Sequence, residues 1–279
     1  MNQDKRIALL IDAENITRNY CDIIFSELTR YGTVTYRRIY GDFVKNNNIN
    51  WHEKDFSNYS LTPVQQFSYT SGKNSSDITL VIDAMDILYS GKIDMFCIVS
   101  SDSDYTKLVS RLRESGLPVI GMGEAKTPIS LRNACEKFVL LDKIYKSSSK
   151  SADKPSADKK TVKQPKQKQL SKATPKSAAI DANIEKTAAD KNMDEEHILP
   201  ISKIVSAIAD EILPDLESEN GWANLADVGN RLSKLYTDFD ARNYGYQKLS
   251  QLIKAQSCFE IDTPASEKHS TTSFIRKKQ

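Results

Sequence analysis

The chain has 279 residues, 39% of them hydrophobic, and a formal net charge of only +2. That length allows one large domain or two small ones, the modest hydrophobic content implies that part of it is not packed, and the near-neutral total does not by itself announce a nucleic-acid binder. No segment approaches the length of a membrane span, the apolar run 7–11 is too short for a signal peptide, and four Cys and three His without metal-ligand spacing argue against zinc or a Cys–His pair; a cytoplasmic protein with reduced thiols and no membrane attachment is expected.

Residues 6–13 read as a buried strand, an unbroken apolar run closed by Asp12. A helix follows from Asn15 to about Tyr31, with Ile23, Ile24, Phe25 and Leu28 as its apolar stripe and Gly32 as its end. Alternating β-branched and aromatic residues predict a strand over 33–40. Residues 41–62 read as a loop with one short helix, and 64–69 as a third strand. The spacing of Ile78, Val81, Ile82, Met85 and Leu88 predicts a helix over 77–90, with Asp77 at a start that favours negative charge. A fourth strand is expected over 95–100, a helix from Thr106 to Gly116, a fifth strand over 117–121, a short helix over 130–134 and a last apolar piece over 138–141. Strands alternating with helices predict an α/β fold with a doubly wound, mostly parallel sheet.

Composition changes at Lys146: residues 146–179 hold ten Lys against two Asp and almost nothing apolar, which predicts a basic, disordered linker over 146–196. A second unit follows. Helices are expected over 198–213 and 225–235 and around Leu249, Leu252 and Ile253, with short strands over 258–261 and 273–276: a small winged helix-turn-helix-like domain. The domains are therefore set at 1–145 and 197–265, with 266–279 as a polar tail.

The chemistry concentrates in carboxylates. Asp12 closes the first strand, and Asp102 and Asp104 follow the fourth at a strand-to-helix corner. In a doubly wound sheet these strands can adjoin at the switch point, where ligands gather at the carboxyl edge. Asp77 can supply a fourth carboxylate; Asp83 is a weaker candidate, because six residues turn a helix by roughly 600° and put it on another face. Oxygen ligands without His or Cys suit Mg²⁺ or Mn²⁺, with Asn15 and Ser100 to orient ligands or water and Lys73 to attract a phosphate. Singly, each Asp also reads as a strand terminator or a helix cap. The absence of G-x-G-x-x-G or a P-loop after the first strand removes dinucleotide and P-loop nucleotide binding.

The stretches 8–16 (Ala-Leu-Leu-Ile-Asp-Ala-Glu-Asn-Ile), 73–84 and 99–105 (Val-Ser-Ser-Asp-Ser-Asp-Tyr) resemble, in that order, the NYN domain, a branch of the PIN-like metal-dependent ribonucleases. The resemblance implies an acidic Mg²⁺- or Mn²⁺-binding catalytic centre at Asp12, Asp77, Asp102 and Asp104, supported by Asn15. Where this chain has Ser101 the family often has Gly; Ser takes most backbone conformations but pays for a positive φ. Residues 221–229 and 239–246 resemble the OST-HTH (LOTUS) domain, a module linked to RNA and to protein partners. Its Trp222, Phe239 and Tyr244 are expected in the core; Arg231, Lys234, Arg242 and Lys248, with Lys73 of the first domain, are the expected phosphate contacts. The resulting expectation is a metal-dependent ribonuclease acting on single-stranded or structured RNA, and the alternative is an RNA-binding scaffold without catalysis.

Overall fold

The computed structural model describes residues 4–44, 49–66, 75–152, 198–218, 220–263 and 272–278. In the first domain six parallel strands form one sheet in the order β3-β2-β1-β4-β5-β6: β1 (Lys5–Asp12), β2 (Gly32–Gly41), β3 (Thr62–Gln65), β4 (Met95–Val99), β5 (Val119–Gly123) and β6 (Lys137–Leu140). The order reverses between β1 and β4, which pair from Ile7↔Met95 to Ile11↔Val99. This is the doubly wound arrangement expected, with its switch point where the sequence pattern puts it.

Helices cover both faces, which is why Ile7–Ile11 of β1 and all of β4 are apolar without alternation. Ile7, Leu9 and Ile11 face one core with α1 (Cys21–Leu28), while Ala8 and Leu10 face the other with α3 (Ser75–Ser90), α4 (Thr106–Glu114) and α5 (Ile129–Ala134). The remaining helices here are α2 (Glu53–Tyr59) and α6 (Leu141–Ala152). The two sheet edges are treated differently. β3 carries Pro63, which has no N–H to offer, and in β6 the Phe138 backbone N–H donates to the Thr237 carbonyl of the second domain at 2.8 Å.

Several boundaries move. The third strand occupies 62–65, and residues 67–69 of its expected span lie outside the described residues. The fifth begins at Val119, just after Pro118, which cannot donate to a sheet. Helix α6 crosses the expected linker start at Lys146, because Leu141 and Ile144 are buried and give it an anchored face; residues 153–197 lie outside the described residues.

The second domain opens with a helix running through α7 (Ile201–Ser206), a π-helical segment (Ala207–Ile212) and α8 (Leu213–Leu216). It continues with β7 (Ala223–Asn224), α9 (Leu225–Leu235), α10 (Leu249–Lys254), β8 (Phe259–Asp262) and β9 (Phe274–Lys277). The three short strands form an antiparallel sheet ordered β7-β9-β8. The expected polar tail is thus corrected: β9 is the middle strand, and its Ile275 is fully buried. Phe239 lies in the core and Tyr244 packs against it; the half-buried Trp222 instead lies under the guanidinium of Arg276, 4.6 Å from its ring centre.

Candidate active site

Asp12 ends β1 at the carboxyl edge and is only 1% exposed. Its Oδ1 accepts from the backbone N–H groups of Glu14 (3.0 Å) and Asn15 (3.3 Å), and its Oδ2 from Asn15 Nδ2 (2.8 Å) and the Ser100 hydroxyl (2.7 Å). A buried carboxylate needs such donors, and these come from the turn after β1 and from the end of the neighbouring strand. Ser100 Oγ in turn accepts from the backbone N–H of Asp102 at 3.0 Å. One hydroxyl therefore links the carboxylate of β1 to the acidic corner after β4.

Asp102, half-buried, caps the short 3₁₀ turn Ser103–Tyr105: its Oδ1 accepts from Asp104 N–H at 3.0 Å. That is the ordinary N-cap reading, and it leaves Oδ2 without a hydrogen-bond partner among the described residues. Asp104 is exposed. Ser101 needs no left-handed backbone, since among the described residues the only non-glycine at positive φ is Ser60. Its hydroxyl accepts from Glu124 N–H at 3.0 Å, a contact that glycine at this position would lack.

Helix α3 runs from the carboxyl edge of the sheet back towards the start of β4, packing on β1 and on the Ser103–Tyr105 turn. Asp77 is in its first turn, so its backbone belongs to the same edge; its side chain lies outside the described residues, as does all of Lys73. Asp83 has a different task. It accepts from Arg38 Nη1 at 2.5 Å and from the Tyr40 hydroxyl at 2.9 Å, tying α3 to β2. Burial and then the Asp83 charge push the Tyr40 hydroxyl well above its ordinary value.

Sequence reading missed one carboxylate. Asp42 follows β2 as Asp12 closes β1, is 3% exposed, and accepts from Gln65 Nε2 at 2.8 Å and Val44 N–H at 3.2 Å. The signal was available: Tyr40-Gly41-Asp42 repeats the apolar-strand-then-Asp pattern.

The donor set at this edge is carboxylate and hydroxyl oxygen, the chemistry that suits Mg²⁺ or Mn²⁺. Among the described residues no three His, Cys, Asp or Glu side chains are grouped so as to hold a metal by themselves. Mg²⁺ is commonly bound by one or two carboxylates, with water and substrate phosphate completing the shell, so the donors present fit such an ion in type.

The expected phosphate contacts separate. Lys234 is exposed near the end of α9, and Arg231 is exposed in a loose pair with Asp215 at 3.5 Å. Lys248 lines a cleft of about 780 Å³ between the two domains, together with Arg30 and Lys137 of the first. Arg242 is corrected. It is nearly buried and doubly paired, donating to Glu27 Oε2 (3.1 Å) on α1 and to Asp240 Oδ1 (3.0 Å) and Oδ2 (2.6 Å), so its charge is taken up in holding the domains together.

Residues 6–142 match the family model of the NYN domain, and residues 199–271 that of the OST-HTH/LOTUS domain. An uncharacterized protein of Methanocaldococcus jannaschii is 24% identical over 170 residues, covering 59% of this chain and 67% of that protein. Among solved structures, a protein of unknown function from Vibrio parahaemolyticus is similar at 18% identity with a TM-score of 0.43, over 51% of this chain and 96% of that one. An uncharacterized protein of Nitrosomonas europaea is similar at 29% identity with a TM-score of 0.24, over 36% and 93%.

Proposed function

Because this chain is an NYN domain followed by an OST-HTH/LOTUS domain, we propose that it is a Mg²⁺- or Mn²⁺-dependent ribonuclease whose second domain helps to hold RNA. The observation that carries this reading is the hydrogen-bonded line Asp12–Ser100–Asp102 at the switch point. It joins two carboxylates from adjacent strands at the edge where reactants gather in this architecture.

Asp12 and Asp102, with Asp104 and Asp77 from the same edge, would hold the ion. When bound, it neutralises phosphate charge and lowers the pKa of a water that attacks the phosphodiester. The protein's own part is orientation. Asn15 and Ser100 fix the Asp12 carboxylate, and Ser100 also fixes the backbone at Asp102. Lys248, Arg30 and Lys137 offer positive charge to an RNA backbone in the cleft between domains, an interaction that should weaken steeply with salt. A tethered RNA-holding module raises the effective concentration of substrate near the acidic edge.

The test is cleavage of a labelled RNA by the full chain with Mg²⁺ or Mn²⁺, beside Asp102→Asn. Loss of cleavage in the variant supports the reading; equal cleavage by both ends it. The four protein hydrogen bonds that the two Asp12 oxygens accept favour a second reading, an RNA-binding scaffold, which would bind RNA at low salt and leave it intact.

A further inference from the structure

We propose that the second domain is a structural part of the acidic site as well as an RNA-holding module: Asp238 acts through Arg132 to set the turn against which Ser100 and Ser101 are held. This rests on the reading of the acidic edge as the place of cleavage.

The argument starts from a buried cation. Arg132, on α5 of the first domain, is completely buried. Its Nε donates to the Thr127 carbonyl at 2.8 Å, its Nη2 donates to the Ala125 carbonyl, and its Nη1 pairs with Asp238 Oδ2 of the second domain at 3.3 Å. A guanidinium with no exposure needs an anion and aligned acceptors, and here Asp238 of the other domain supplies one. Three further contacts join the two domains here. Thr237 takes the free N–H of Phe138 and donates its hydroxyl to the Arg132 carbonyl at 3.2 Å, and Arg242 reaches Glu27.

The turn gripped by Arg132 touches the acidic corner directly. Glu124 N–H donates to Ser101 Oγ, and Thr127, 1% exposed, folds back on the Glu124 carbonyl at 2.7 Å. Gly123 is pressed so closely between Ser100 and Thr127 that a Cβ there would lie 2.6 Å from the Ser100 carbonyl oxygen and 2.8 Å from Thr127 Oγ1. Ser100 N–H is itself held by the Met122 carbonyl at 3.0 Å. A continuous set of packed and hydrogen-bonded groups thus runs from Asp238 through Arg132, Thr127 and Glu124 to Ser100 and Ser101, and so to Asp12 and Asp102. Arg132 and Asp238 touch no reacting atom on this path; they are positioning residues. A shift of the turn by a fraction of an ångström is passed on, because Gly123 leaves no slack.

The experiment uses the full chain as wild type, Asp238→Asn and Asp238→Glu, with Mn²⁺ and bis(p-nitrophenyl) phosphate, an ester too small to span both domains. Positioning predicts a fall in kcat of roughly tenfold or more for Asp238→Asn at unchanged KM, with substantial recovery in Asp238→Glu. Backbone hydrogen exchange, read in the same proteins, should quicken at Glu124 and Asp102 in Asp238→Asn while the β1 amides, which report global folding, stay protected. A variant that cleaves the small ester normally but loses activity on RNA would overturn the proposal and leave recruitment alone, as would unchanged exchange at Glu124. If the wild type cleaves neither substrate the ribonuclease reading fails, and the exchange data still decide whether Asp238 sets the corner.

Discussion

The hydroxyl of Ser100 donates to Asp12 Oδ2 at 2.7 Å across the β1–β4 pair, and the same oxygen accepts the N–H of Asp102. Asp12 is therefore surrounded by donors, whereas Asp102 keeps one oxygen without a hydrogen bond among the described residues. The two carboxylates should answer differently to the same substitution. Asp12→Asn places an amide NH₂ where donors already point, and should cost on the order of 1–3 kcal/mol of stability as well as cleavage. Asp102→Asn keeps the capping oxygen and should abolish cleavage with little change in the urea midpoint. Paired unfolding curves and cleavage assays check both; a stability loss as large in Asp102→Asn would contradict the geometry.

Gly123→Ala should destabilise the first domain by about 1–3 kcal/mol, since the new Cβ meets the Ser100 carbonyl and a buried Thr127. Nothing lies within 4 Å of a Cβ at Gly91, where the φ of +64° is the only obstacle, so Gly91→Ala should cost about 1 kcal/mol and spare cleavage. Thermal unfolding and RNA cleavage of the two variants should separate.

Acid should loosen the Asp240–Arg242 pair within the second domain. Burial drives the Asp240 carboxyl up, but hydrogen bonds from Arg242 and its charge outweigh this and leave the group below its ordinary value. A depressed carboxyl contributes stability that is present above its unfolded value, near pH 4, and lost as the pH falls through the folded one. Urea midpoints of wild type and Asp240→Asn, measured from pH 6 to pH 2.5, should therefore differ most at the upper end and converge at the lower. A constant gap would show that the carboxylate charge is not what stabilises the Asp240–Arg242 pair.

Thiol reactivity should single out one cysteine. Burial pushes Cys21 up to about 12, helped by Asp55 and Asp22, and Cys135 up to about 12 against the pull of Arg113; burial also raises Cys97. Thiolates are the reactive form, so iodoacetamide at pH 8 should label the half-buried Cys258 first and the other three only after denaturation. Peptide mapping by mass spectrometry reads the order.

The sheet was legible because the strands of its core are apolar without alternation and each ends in a residue that stops it. The pattern placed Asp12 and Asp102 at strand ends and allowed their strands to adjoin, which β1 and β4 do; the family resemblance joined them into one site. Asp42 obeyed the same rule and was passed over, because the polar stretch behind it made the whole segment read as loop. Arg242 looked like a surface cation since nothing near it in sequence announces Glu27, 215 positions away. Arg132 gave no sign at all: its role depends on a carboxylate from another domain. Helix α6 was hidden by Lys and Ser, whose polarity masked the two apolar residues that anchor it.

The bond from Phe138 N–H to Thr237 occupies what is otherwise an open strand at one end of the sheet, opposite the end that Pro63 protects. An unsatisfied strand edge is a template on which further chains can grow. Cutting the protein after α6 would uncover it along with Glu27 and Arg132, and the shortened first domain should then self-associate at concentrations where the intact chain stays dispersed. Light scattering of the two forms would show the second domain acting as a guard against aggregation.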